Sequence, residues 1–65
     1  MKTYEVVAVR SGEWRALEVT GLRMGYSQAR ELADIEPMAR DLISLLTDVA
    51  EDSFDITVRV EGDAR

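Results

Sequence analysis

The sequence predicts a small α+β domain, one sheet with one helix laid on it, and two observations carry the prediction. The run Glu31 to Val49 is the only stretch long and periodic enough for an amphipathic helix. Every other apolar segment is short and β-branched or alternating, which is the signature of strands. A helix with one wide apolar stripe must bury it against another layer, and a sheet built from residues on either side of it is the available partner.

Taken in order, Thr3 to Arg10 (TYEVVAVR) is apolar on both parities, with Tyr4, Val6 and Ala8 on one side and Val7 and Val9 on the other, as expected of a central strand. Ser11-Gly12 supplies a tight turn, and Glu13 to Val19 returns as an antiparallel second strand with Leu17 and Val19 on one face and Trp14 and Ala16 on the other. Thr20 to Gly25 is a loop with two glycines. Tyr26 to Arg30 is short and mostly polar, which suits an edge strand.

In the helix, Leu32, Ile35, Ala39, Leu42 and Leu46 form the stripe, and Met38, Ile43, Leu45 and Val49 widen it. Pro37 leaves two starting points open. Asp34 caps the helix and the proline sits in the first turn, where its missing donor costs little, or the helix begins near Leu32 and bends at Pro37. After the polar connection Asp48 to Ser53, Phe54 to Val60 alternates cleanly, with Phe54, Ile56, Val58 and Val60 expected inward. The order is βββαβ. Three antiparallel strands followed by a right-handed helical crossover give a mixed sheet in the order 3-2-1-4, with the helix on one face. The fold core spans about 3–60 of a single domain covering 1–65, and 61–65 is expected to fray.

With 65 residues, the chain hides only about 60% of its unfolded surface on folding. It has no cysteine and no histidine, so disulfides, thiolate metal sites and imidazole chemistry are excluded, and no cofactor or metal is expected. No apolar run approaches the length of a membrane span, and the N-terminus lacks a signal-peptide core, so the expected compartment is the cytosol. The net charge is −5, and the arginines are scattered from Arg10 to Arg65 rather than clustered. This disfavours direct nucleic-acid binding and fits a basic partner better.

Several features in order and spacing carry a resemblance: the opening strand YEVVAVR, Trp14 in the second strand, Leu22 with its glycine loop, Ser27-Gln28 ahead of the helix, the acidic helix, and Asp52-Ser53-Phe54 leading into the last strand. From about Thr3 to Val60 the chain resembles the N-terminal domain of HicB-type antitoxins, a partial ribonuclease-H-like fold. It departs from that pattern at Leu22-Arg23-Met24-Gly25, where the family has Leu-Pro-Gly, at Glu31, where the family has a threonine cap, and at Pro37. The family usually continues into a DNA-binding segment, whereas this chain ends after the fourth strand, so operator binding is not expected. The resemblance implies a non-enzymatic module that neutralises a small basic HicA-type ribonuclease toxin.

The alternatives are a stand-alone structural or small-ligand domain and, more remotely, a metal-dependent nuclease. A nuclease would use Glu5 and Asp55 on adjacent strands, but the pattern supplies no third carboxylate to join them. The acidic group Asp48, Glu51, Asp52 and Asp55 is either a solvated loop or a surface facing the toxin. Trp14 is either an interface anchor on the uncovered sheet face or a core residue. As an anchor, with Val7, Val9, Ala16 and Tyr26, it would close a homodimer through that face.

Overall fold

In the computed structural model, residues 1–62 are described. The elements are β1 (Lys2–Ser11), β2 (Trp14–Val19), β3 (Tyr26–Ala29), a single 3₁₀ turn (Leu32–Asp34), α1 (Ile35–Thr47) and β4 (Phe54–Glu61). The strands form one mixed sheet in the order β3-β2-β1-β4, with β1 antiparallel to β2 and parallel to β4. This is the predicted α+β layout with one helix. The expectation for 61–65 needs amendment at its start, because Glu61 belongs to β4 and pairs with Val9; residues 63–65 lie outside the described residues.

Ser11 pairs with Trp14, so Gly12-Glu13 is a two-residue hairpin connection. Gly12 has φ +63° and Glu13 does not have positive φ, the sign pattern of a type II′ turn, which takes glycine first. Between β2 and β3 the loop folds tightly on itself. The Val19 amide donates to the Gly25 carbonyl at 2.8 Å, and Gly25 is buried against Leu22 and Val19, where a Cβ would sit 3.1 to 3.2 Å from their atoms.

The helix start takes the first of the two open alternatives. Asp34 occupies the N-cap position and Pro37 lies in the first turn, where no intrahelical N–H partner is required. The Asp34 side chain makes no capping hydrogen bond, and the preceding chain is guided by the 3₁₀ turn, whose Asp34 amide donates to the Glu31 carbonyl at 3.0 Å. Asp48 ends the helix in the left-handed region with φ +60°, its amide donating to Ser44 O at 2.8 Å.

The core consists of Val6, Ala8, Leu17, Val19, Ala29, Ile35, Ala39, Ile43 and Phe54, with Tyr4, Leu22, Leu42 and Ile56 packed around it. Two expectations about it are corrected. The buried row of the helix is Ile35, Ala39 and Ile43, at spacings of four, whereas Leu42 is half-buried and Leu32, Met38, Leu45, Leu46 and Val49 are exposed. On β4, Phe54, Ile56, Val58 and Val60 do share the helix-side face, but only Phe54 is buried, and Val58 and Val60 are 43% and 40% exposed. The helix descends from β3 toward the start of β4, so it covers Phe54 and leaves the second half of that strand open.

Candidate interaction surfaces

The register fixes what lies on the face without the helix. Across the four strands one row reads Tyr26, Glu18, Val7, Arg59 and the next Gln28, Ala16, Val9, Glu61, with Trp14 opposite Ser11 beyond them and Glu5 beside Thr57 on the other side. The five residues singled out as an apolar interface, Val7, Val9, Trp14, Ala16 and Tyr26, therefore share this face. Trp14 and Val9 are each 41% exposed, and Val7 is half-buried between its neighbours. The alternative of a core Trp14 is not realised: its parity is opposite to that of Leu17 and Val19, the residues of β2 that the helix buries.

The indole is not simply bare. The Arg30 guanidinium lies over it, 5.3 Å from the ring centroid, and forms an ion pair with Glu13 at 3.1 Å. A cation held over an exposed ring in this way keeps one indole face covered and presents the other features of the site in a fixed orientation. Sequence reasoning missed this partner because Arg30 and Glu13 are 17 residues apart and meet only through the β2–β3 pairing.

Around the apolar centre the face is acidic. It carries Glu5, Glu18, Asp55 and Glu61, with Glu13 at its rim, against two guanidiniums, Arg59 and the Arg30 that lies over Trp14. Arg59 Nε lies 3.1 Å from a Glu61 oxygen and 3.9 Å from a Glu5 oxygen, and Glu5 also accepts from Thr20 Oγ1 at 3.3 Å. Glu5 and Asp55, the pair considered for a nuclease, are on the same face but two positions out of register, since Glu5 faces Thr57 and Asp55 faces Thr3. Among the described residues no group of three or more acidic side chains is arranged to hold a metal ion.

The second acidic element is the connection from α1 to β4. Asp48, Glu51 and Asp52 are exposed there, and Asp55 carries the negative charge onward onto the bare face. The backbone of this loop is tied down: Ser44 Oγ donates to Val49 O, Ser53 Oγ to Ala50 O at 2.7 Å, and Arg40 Nη1 to Glu51 O at 2.6 Å. Its carboxylates are thus displayed from a fixed backbone rather than from a long free loop.

No helix among the described residues is long and apolar enough to cross a membrane. The fold defines the chain as a small α+β protein with one open sheet face. Beyond that class, comparison with protein-family models, with curated proteins and with solved structures finds no match.

Proposed function

We propose that this chain is a non-enzymatic protein-binding module and that its bare sheet face docks a small basic protein. The observation that carries the reading is the combination on one face of an exposed tryptophan with Val7, Val9 and Ala16, surrounded by Glu5, Glu18, Asp55 and Glu61. Aromatic anchors inside a charged rim are the anatomy of a protein docking site, with the anchor supplying affinity and the rim supplying steering and choice of partner. The resemblance to HicB-type antitoxins names the partner class, a small basic ribonuclease of the HicA type. The loop acids Asp48, Glu51 and Asp52 extend the same negative surface toward it.

A second copy on this face, the other occupant the sequence suggests, is the poorer fit. Two copies meeting there would bring the acidic majority of one, Glu5, Glu18, Asp55, Glu61 and the rim residue Glu13, against that of the other, with Arg30 and Arg59 on each side as the offsetting cations. A basic partner turns that charge into attraction.

The test is to read the neighbouring reading frame, whose failure to encode a small basic protein would favour the stand-alone domain, and to titrate such a protein with the chain at low and physiological salt. Binding that weakens with salt, and weakens about tenfold or more on Trp14→Ala or Glu18→Lys with the circular dichroism spectrum unchanged, is the expected result. A basic neighbour that does not bind, or binds both variants as well as the parent, refutes the reading.

A further inference from the structure

We propose that two copies of the chain pair through β4, antiparallel about a two-fold axis at Thr57, and so join their sheets into one continuous sheet in the order 3-2-1-4-4-1-2-3. This assembly leaves the apolar centre of the bare face open, around Trp14, Val7 and Val9, and shares with the docking role only Asp55 and Arg59 at the edge of that face.

The first observation is the edge itself. β4 is eight residues long, pairs with β1 on one side without interruption from Phe54 to Glu61, and among the described residues has no strand on its other side. It contains no proline or lysine and its ladder has no bulge, so the only protection it carries against edge pairing is the charge of Asp55, Arg59 and Glu61, which the right register can turn into attraction. The opposite edge, β3, has only four residues.

The second observation is that the helix side of β4 lacks cover where the strand is farthest from its start. Val58 and Val60 are 43% and 40% exposed although they point to the same side as the buried Phe54. A partner strand alongside would place its own apolar residues beside them.

The third observation is that β4 is self-complementary in one register. Antiparallel partners share a face only if the pairing keeps parity, which excludes half of the registers, because they would set the apolar side of one strand on the charged side of the other. Centring the axis on Thr57 puts Arg59, a side chain 59% exposed that also pairs with Glu61 of its own chain at 3.1 Å, opposite Asp55 of the second copy, twice by symmetry, on one face. On the other it puts Val58 opposite Ile56 and Val60 opposite Phe54. Centring on Val58 instead sets Glu61 against Asp55, centring on Arg59 sets that arginine against itself, and centring on Ile56 leaves Val60 opposite Asp52. Charge complementarity and apolar cover therefore select the same register. A two-fold axis through Thr57 is perpendicular to the sheet, so both helices lie on one side of the joined sheet and both bare faces form one surface on the other.

The experiment uses the absence of cysteine from the chain. Thr57 is exposed, and in this register it faces its own copy at a separation that a disulfide spans, so Thr57→Cys should cross-link to a covalent dimer under mild oxidation, while Ile56→Cys and Val58→Cys should not. Light scattering after size exclusion at tens of micromolar should give twice the chain mass. Asp55→Arg or Arg59→Asp alone should weaken the dimer about tenfold or more, and the double exchange Asp55→Arg with Arg59→Asp should restore it, which a loss of folding could not do. Trp14→Ala should leave the mass unchanged. A monomeric parent protein overturns the proposal, as does cross-linking at Val58→Cys in place of Thr57→Cys, a double exchange that fails to restore the dimer, or a dimer lost on Trp14→Ala.

Discussion

Arg40 holds Phe54 from two directions at once: its Nη1 donates to the Phe54 carbonyl at 2.9 Å, and its guanidinium carbon lies 5.4 Å from the Phe54 ring centroid. The same side chain reaches Glu51 O at 2.6 Å and is positioned by Glu36, one turn earlier on the helix, at 3.0 to 3.1 Å. One helical residue thus fixes the entry of the chain into β4. It does so with charged donors directed at two backbone carbonyls where the loop meets the sheet.

Arg40→Ala is expected to destabilise the domain by about 2 kcal/mol, the scale of hydrogen bonds from a charged donor together with loss of packing on Phe54. Arg40→Lys should recover less than half of that, since an ammonium cannot present the planar fork that meets Glu36, Glu51 O and Phe54 O together. Denaturant unfolding of the three proteins decides it, and equal midpoints for parent and Arg40→Ala would remove Arg40 from this role.

The corrected helix face gives a sharper contrast. Ile43 is fully buried and central, so Ile43→Ala should cost on the order of 2 to 5 kcal/mol, a large share of what so small a domain has. Leu45→Ala should stay within about 0.5 kcal/mol, because the side chain is 77% exposed. Leu46→Ala should fall between them. If Leu46→Ala proves as costly as Ile43→Ala, the helix is packed on the sheet in a different rotation.

The element order and the sheet order were legible because they depend on parity and connectivity alone. An apolar-both-sides β1, a hairpin at Ser11-Gly12 and a right-handed return through the helix leave one arrangement. For Trp14, strand parity counted from Leu17 and Val19 points to the bare face but leaves a core position open, and the β1–β2 register with the 41% exposure of the side chain decides between them. What periodicity does not carry is how far one layer extends over another. Leu46 lies within about 20° of the buried Ile35 and Ala39 around the helix axis, and Val60 has the parity of Phe54. Each is exposed because the layers stop overlapping there, which follows from the path of α1 from β3 to the start of β4. The arginine contacts were equally invisible, as Arg30 and Arg40 reach partners that only the folded chain brings near.

The packed β2–β3 loop makes Gly25 a further point of test. Its φ is not in the left-handed region, so the restriction on Gly25→Ala is space alone: the added methyl group would come within 3.1 Å of Leu22 Cβ and 3.2 Å of Val19 Cβ. Neither neighbour can turn a Cβ aside by changing rotamer, so backbone must shift, at about 1 to 3 kcal/mol. Gly12→Ala, with nothing within 4 Å of the new group but φ +63°, tests the opposite case of strain without crowding. It should cost about 1 kcal/mol. Thermal unfolding of both variants measures the two effects separately, and an unchanged midpoint for Gly25→Ala would mean that the loop is looser than its contacts imply.

The last prediction concerns nucleic acid. Phosphate binding needs cations that are clustered and free to exchange partners, and this chain at net charge −5 scatters its arginines and commits three of them to internal partners. Arg30 is held by Glu13 over Trp14, Arg40 by Glu36 and two carbonyls, and Arg59 by Glu61 and Glu5. Releasing any of them to a phosphate would leave a carboxylate or carbonyl without its donor. On the bare face, where a flat sheet with an exposed aromatic residue would otherwise suit a stacked base, the carboxylates Glu5, Glu18, Asp55 and Glu61 outnumber Arg59 and the Glu13-paired Arg30, so the net charge repels a backbone. Anisotropy of a labelled duplex, and of a single-stranded oligonucleotide, titrated at low salt should therefore stay flat to about 10⁻⁴ M, beyond the range in which ordinary non-specific binders respond. Saturable binding tighter than about 10⁻⁶ M would show that a cation assigned to an internal partner is available after all, and substitution of Arg30, Arg40 and Arg59 in turn would identify which.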